Sequence, residues 1–295
     1  MNPRHLEAPR YTAEFVERGY NNRAAVPDHP QFMAEYVERS RAAREALKPQ
    51  LDLRYGPGPK ETLDLFVPRE GARGTLAFSH GGYWRAFDKA DFSFVAGPPI
   101  DAGHAVAVLN YDLCPAVSIA EIVDQMRRAV MWLMREGPRH GAPASPLVVS
   151  GHSAGGHLTA MLFVTDWNAL GLDRFPLAGA VSLSGVHDLA PMVHFSYNVD
   201  LRLDEAEAAR MTPILQAPRN DAPIVAAVGA LETSEFLRQA QLLWDAWPHN
   251  RPEGASSPLA IAQRHHFSVV LDYADRASEL TRATLALLTN RSGRG

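Results

Sequence analysis

The sequence predicts an α/β fold, with a mostly parallel central sheet, helices on both faces and a small helical cap. Three observations predict it. Short apolar runs rich in small and β-branched residues recur along the chain, as strands covered on both faces require. Stretches with helical apolar spacing separate several of these runs, which implies right-handed crossovers between parallel strands. A Gly-x-Ser-x-Gly pattern stands between one such run and a helical stretch.

The elements follow in chain order. Residues 1–50 read as helical and polar. Residues 35–47 are rich in Ala, Arg and Glu, Pro49 stops them, and Pro27 and Pro30 interrupt the chain upstream. Phe15, Tyr20, Phe32 and Tyr36 predict that this region packs on the main body. Residues 51–55 and 62–67 alternate around Gly56-Pro57-Gly58-Pro59 and read as two half-exposed strands forming the antiparallel edge. Buried-strand runs follow at 75–78, 105–109, 147–149, 180–183 and 224–228, with a last candidate at 259–262. Residues 119–135 carry a helical stripe of Ile122, Val123, Met126, Val130 and Leu133. Residues 235–247 place Phe236, Ala240, Leu243 and Trp244 likewise, so Trp244 and Trp247 read as core. Residues 271–288 read as the last helix. The segment 186–213 fits no single helix or strand. It combines Asp188, Pro191, His194, Asn198 and an acidic helical piece at 203–210. It reads as an insertion near the open end of the sheet that forms a cap together with residues 1–50. The whole chain, 1–295, reads as one such domain.

Bulk composition narrows the function classes. The 295 residues are 46% hydrophobic, enough for a substantial core. Net charge is -4 and no Lys/Arg stripe follows a phosphate backbone, so nucleic acid is not an expected partner. The single cysteine, Cys114 before Pro115, excludes an intramolecular disulfide and reads as a reduced, partly buried residue. Glu7, Glu14 and Glu17 interrupt the N-terminus, and no run of 18 apolar residues occurs, so the expectation is a cytoplasmic protein away from membranes. A homodimer remains open.

The chemistry-bearing motif is Gly151-His152-Ser153-Ala154-Gly155, after the run at 147–149 and before a helical run through Leu162. This is the strand–turn–helix setting of an α/β-hydrolase nucleophile elbow. The chain must turn sharply with the serine strained, so its neighbours must be small. Ser153 is therefore the candidate nucleophile. His152 is expected to shape the turn with its side chain pointing away. His157, on the following helix, is expected to pack or hydrogen-bond there. His80-Gly81-Gly82-Tyr83-Trp84 follows the strand at 75–78. Backbone N–H groups stabilise the oxyanion of a hydrolytic intermediate if no side chain blocks them. Gly81 and Gly82 suit that task, with the N–H of Ala154 as the further donor. His80 is then a loop brace.

A serine hydroxyl needs an imidazole, and the imidazole needs a partner that fixes its tautomer. In this fold the order is serine, acid, histidine. His265 and His266 both follow the last strand, and position alone only inclines the choice to His266. His249 reads as a solvent-loop residue, and His187 and His194 precede the acid candidates. Glu232 lies just past the strand at 224–228, where the acid belongs. Glu235 has a competing role in the first helical turn, and Asp221 sits at the wrong end of the sheet. No His-Glu-x-x-His or Cys-x-x-Cys pattern occurs and His265 and His266 diverge, so neither metal nor other cofactor is expected. Tyr83 and Trp84 beside the oxyanion loop, with Tyr20, Phe195 and Tyr197 from the cap, are the candidate pocket aromatics.

These residues resemble the kynurenine formamidase (arylformamidase) branch of the α/β-hydrolases, itself similar to hormone-sensitive-lipase-like esterases. His80–Trp84 resembles its HGGxW signature. Asn110-Tyr111-Asp112-Leu113-Cys114-Pro115 resembles its strand exit, with Asp112 where a basic residue is usual. Residues 151–158, GHSAGGHL, resemble its nucleophile segment, and residues 183–189 resemble the run after the next strand. Residues 229–239 resemble its acid loop, which places the acid on Glu232. His266-Phe267-Ser268 resembles its histidine motif, which places the base on His266. Tyr20-Asn21-Asn22-Arg23 with Val26-Pro27 resembles a segment near its start. The resemblance implies hydrolysis of N-formyl-L-kynurenine to kynurenine and formate, in tryptophan breakdown. A short-chain carboxylesterase is the alternative, since both use the same machinery.

Overall fold

The computed structural model describes residues 11–289; the terminal segments 1–10, with Glu7, and 290–295 lie outside the described residues. The strands are β1 (Gln50–Arg54), β2 (Thr62–Phe66), β3 (Thr75–Ser79), β4 (Ala105–Leu109), β5 (Leu147–His152), β6 (Gly179–Leu183), β7 (Ile224–Gly229) and β8 (Leu259–Ile261). They form one sheet in the order β1-β2-β4-β3-β5-β6-β7-β8. β1 and β2 pair antiparallel, as do β2 and β4, and every later pair is parallel. The predicted α/β architecture and its antiparallel edge are both present.

Alternation along the strands explains the two-sided core. On one face Leu65, Ala77, Ala107, Val149 and Ala226 pack with helices Ile119–Arg135, Ala154–Phe163 and Ser234–Ala246. On the other, Phe66, Phe78, Val108 and Val181 pack with Tyr36, Phe92, Tyr273 and Leu287. Both faces are dry, so buried strands of this kind need no polar alternation.

Register sets the rim on which chemistry can occur. Ser79 pairs with Gly151, and Gly151 with Ser182. Leu183 pairs with Ala227, and Gly229 with Ile261. The C-terminal ends of β3, β5, β6, β7 and β8 therefore finish along one edge, where ligands bind in open parallel sheets.

Several elements differ from the sequence reading. β2 is buried throughout, not half-exposed. Its alternating Asp64 turns inward because Lys89 covers it, at 2.7 Å, and also reaches Asp52 at 2.8 Å. Alternation signalled a charge that tertiary contact neutralises, not a wet face. The helix placed at 35–47 begins earlier, as His29–Leu47, and takes Pro30 into its first turn. There a missing N–H costs nothing. The stretch at 271–288 divides into a 3₁₀ turn, Val269–Ala274, and a helix, Glu279–Thr289. Asp275 Oδ1 accepts from Ala277 N at 2.8 Å and Ser278 Oγ from Thr281 N at 3.0 Å. Short polar side chains compete in this way with the helical ladder. The segment 186–213 holds a 3₁₀ turn, Ala190–His194, and two short helices, Asn198–Leu201 and Glu205–Arg210. Among the described residues no helix is long and apolar enough to cross a membrane.

Candidate active site

Ser153 sits between β5 and helix Ala154–Phe163 with φ 57 and ψ -117. Such a conformation is rare for a residue with a Cβ and persists only where the surroundings hold it. Its N–H donates to Leu183 O at 2.8 Å, which ties the turn to the end of β6. Among the described residues its hydroxyl has no hydrogen-bond partner, and the residue lines a cavity of about 550 Å³, open mouth included. His266 lines the same cavity.

Two of the proposed oxyanion residues lie against this turn. A Cβ on Gly81 would press on Ser153 Cβ at 2.9 Å, so the bare main chain there is what allows the approach. Gly82 has φ 103, which favours glycine, and it lines the cavity beside Ser153. Ala154 begins the following helix, where the first N–H groups lack helical acceptors. His80 braces the loop: its Nδ1–H donates to Gly81 O at 2.8 Å and its ring stacks on Tyr111 at 4.3 Å. Burial lowers its pKa, which favours the neutral ring.

His266 Nδ1–H donates to Glu232 Oε2 at 2.7 Å, and Glu232 is buried. That bond fixes the tautomer and leaves Nε2 as the basic nitrogen. The other oxygen of Glu232 accepts from Gly229 N at 2.8 Å and from the hydroxyl of Ser184. The acid loop is also tied to the histidine loop, through Leu231 N to Arg264 O at 2.9 Å. The competing groups are engaged elsewhere. Glu235 accepts from Tyr20 Oη at 3.0 Å and from Arg238 at 2.9 Å. His265 Nδ1 accepts from the N–H groups of Phe267 and Ser268, at 3.2 and 3.3 Å, and its ring meets Phe32 edge-on.

The pocket aromatics divide. Tyr83 and Tyr197 line the cavity, whereas Trp84, Tyr20 and Phe195 do not. Trp84 lies fully buried behind the oxyanion loop, where its Nε1–H donates to His157 Nδ1 at 3.3 Å. His157 in turn donates from Nε2 to Met211 O at 2.7 Å, and burial pushes its pKa down to about 3. Tyr20 turns to Glu235, and Phe195 packs between Tyr20 and Tyr83, with centroids at 6.5 and 5.2 Å. Each aromatic misplaced by the sequence reading has a buried partner that only tertiary packing supplies. Asp112 is also away from the cavity. It accepts from Lys60 N and Gln125 Nε2, both at 2.9 Å, so it braces loops. Cys114 is buried, and that burial pushes its thiol up to about 12.

Other cavity residues escaped the sequence reading. His152 does not point away: its ring lies 4.7 Å from that of His266 and forms part of the wall. Burial, and then the neighbouring His266, hold its pKa well below the usual histidine value. A second cation beside a protonated His266 is thus avoided. Ser184, with φ 52, lies behind the cavity on Glu232, and its signals were its place at the end of β6 and the resemblance of residues 183–189. Asn22, Arg23, Tyr36 and Arg85 also line the cavity. The resemblance of residues 20–23 was the one sign of the first two. Among the described residues no group of three or more His, Cys, Asp or Glu is placed to hold a metal ion.

Residues 63–230 match the BD-FAE family. A kynurenine formamidase from Salmo salar is 29% identical over 98% of this chain and 97% of its own length. A kynurenine formamidase from Drosophila melanogaster is 26% identical, covering 78% of each chain. A crystal structure of a "putative thioesterase" from Silicibacter sp. TM1040 superposes with a TM-score of 0.80 and 32% identity, over 90% of this chain and 97% of that one. An esterase from Pyrobaculum calidifontis shares the fold, with a TM-score of 0.66 at 15% identity. A match over more than half the chain, on this strand order, makes the protein a member of the BD-FAE family of α/β-hydrolases.

Proposed function

We propose that this chain is a serine hydrolase that cleaves aryl formamides, with N-formyl-L-kynurenine as substrate and kynurenine and formate as products. The observation that carries the reaction class is the pairing of a buried Glu232–His266 hydrogen bond with the strained Ser153 on one cavity. The near full-length similarity to kynurenine formamidases supports the substrate.

The mechanism uses the chain's own groups. Ser153 Oγ attacks the formyl carbon while His266 Nε2 takes its proton. Glu232 holds the imidazole in place and stabilises the imidazolium. The N–H groups of Gly82 and Ala154, with Gly81, hold the oxyanion. His266 returns the proton to the aryl nitrogen as the C–N bond breaks, and kynurenine leaves. Water attacks the formyl-enzyme with the same histidine as base and releases formate. Segments within 11–50 and 186–213 cap the cavity, which receives Asn22 and Tyr36 from the first and Tyr197 from the second. The aromatic wall of Tyr83, Tyr197 and Phe267 suits an aryl group.

A short-chain ester or thioester is the second reading, favoured by the Silicibacter structure. The deciding measurement compares kcat/KM for N-formylkynurenine with that for p-nitrophenyl acetate and butyrate. A site built around substrate polar groups discriminates strongly. A preference for the formamide by about 10²-fold or more is expected. An ester preference would overturn the formamidase reading and leave the hydrolase chemistry in place.

A further inference from the structure

We infer that Asn22 and Arg23 form a subsite for a carboxylate carried by the substrate. The inference deepens the formamidase reading and rests on it for the identity of the ligand. The residues that line the catalytic cavity include two arginines, Arg23 and Arg85, and no Asp or Glu. Arg85 is already engaged. Its Nε donates to Asp200 at 2.6 Å, and its guanidinium lies 4.5 Å over the Tyr197 ring. Arg23 has no ion pair among the described residues, so it supplies the unneutralised positive charge at the cavity.

Asn22 is the independent observation. It is 5% exposed and lines the same cavity, yet its Nδ2 has no protein partner among the described residues. Buried amide donors are almost always paired, so an unpaired one on a residue that lines a cavity calls for an acceptor that the protein does not supply. The neighbouring Asn21 behaves differently. Its amide donates to Glu17 at 2.6 Å and its oxygen accepts from Ala24 N at 3.0 Å, so local turn chemistry is complete without Asn22.

The segment is also held in place. Tyr83 Oη donates to Tyr20 O at 2.5 Å, which links the backbone just before Asn22 to a residue beside the oxyanion loop. Tyr20 Oη is anchored on Glu235. A neutral donor and an unpaired guanidinium on adjacent residues thus meet the cavity at a braced turn. A carboxylate accepts from both, with charge assistance from the arginine. The chemical class is an aryl formamide whose far end carries a carboxylate, as an amino-acid side of the substrate does.

The test uses the full chain hydrolysing p-nitrophenyl acetate, with L-kynurenine and kynurenamine as competitive inhibitors. The two differ by the carboxylate alone. Kynurenine is expected to inhibit with at least tenfold lower Ki than kynurenamine. Arg23→Gln, and separately Asn22→Ala, should bring the ratio towards one. Arg23 is exposed, so its variant is readable even if the Asn22 substitution perturbs folding. A wild-type ratio near one, or a ratio that survives Arg23→Gln, overturns the subsite. Failure to hydrolyse N-formylkynurenine alongside an intact ratio overturns the formamidase reading and leaves the subsite standing.

Discussion

Glu232 and Glu235 lie three residues apart, both are buried, and the chain directs them to different work. Glu232 stands in the loop after β7 and faces the rim, where His266, Ser184 and Gly229 N surround its carboxylate. Glu235 stands one helical turn later and faces the N-terminal helix Ala13–Tyr20, where Tyr20 and Arg238 surround it. The first set contains the histidine proposed as the base, which would change protonation in each cycle. The second joins two elements more than two hundred residues apart and contains no group to which the proposed mechanism gives a step. Charge and burial are alike. The partners decide which carboxylate meets an imidazole and which one holds the helix Ala13–Tyr20.

The largest expected effect tests this division at Glu232. Glu232→Gln should lower kcat by about 10³–10⁴-fold, because the amide favours the wrong imidazole tautomer. Its melting temperature should change little, since the buried side chain keeps its volume. Glu235→Ala should do the reverse. Removing the partner of Tyr20 and Arg238 should cost about 2–3 kcal/mol of unfolding free energy. The kcat of the folded enzyme on p-nitrophenyl acetate should stay within about threefold of wild type. Urea unfolding beside steady-state kinetics separates the two outcomes. A loss of kcat at Glu235 equal to that at Glu232 would end the division.

The same comparison shows what the sequence could reveal. The tight turn at Ser153, the bare loop at Gly81 and Gly82 and the carboxylate past β7 lie where the sequence puts them because each requirement is local: a small neighbour, a bare backbone, a carboxylate just past a strand end. The parallel runs were readable for the same reason, since buried strands carry their apolarity continuously. Trp84 and Tyr20 were misplaced because an aromatic side chain near a loop has two outlets. Only the arrival of His157 and Glu235 from distant elements selects the buried one. His152 was misjudged by a local rule about adjacent side chains, which takes no account of His266 arriving across the rim. Asp64 follows the same logic, because the cation that permits its burial is Lys89, outside the strand.

Histidines sharpen the contrast further. His187 belongs with the structural set: its Nδ1–H donates to Gln239 O at 3.0 Å, on the helix that carries Glu235. Burial holds it at about 4, and burial likewise holds His157 at about 3. Both folded values lie below the unfolded value of about 6.5. Above that value neither state binds the proton and the full stability is present. As pH falls from 6.5 towards 4, the unfolded chain takes up protons that the folded chain refuses. Each histidine should then remove about 1.4 kcal/mol per pH unit. Urea midpoints at pH 7.5, 6.0 and 5.0 should fall steadily, and His187→Gln should flatten the slope by roughly a quarter, because burial holds His80 and His152 low as well. An unchanged slope in that variant would place the pH sensitivity elsewhere.

The smallest effect concerns a residue that links the Glu235 set to the cavity wall. Tyr20 Oη donates to Glu235 and accepts from Gln239 Nε2 at 2.8 Å, while its carbonyl receives the Tyr83 hydroxyl from beside the oxyanion loop. Tyr20→Phe removes these hydroxyl bonds, together with the one accepted from Arg238 at 3.2 Å, and keeps the one at the carbonyl. Glu235 retains Arg238, so the cost should be about 1 kcal/mol of stability. KM for N-formylkynurenine should rise about two- to threefold, because Asn22 and Arg23 follow directly in the chain, while kcat is preserved. A stability loss with no change in KM would separate the structural network from the cavity wall. A fall in kcat instead would mean that the Glu235 set reaches the reacting groups and that the two carboxylates are coupled.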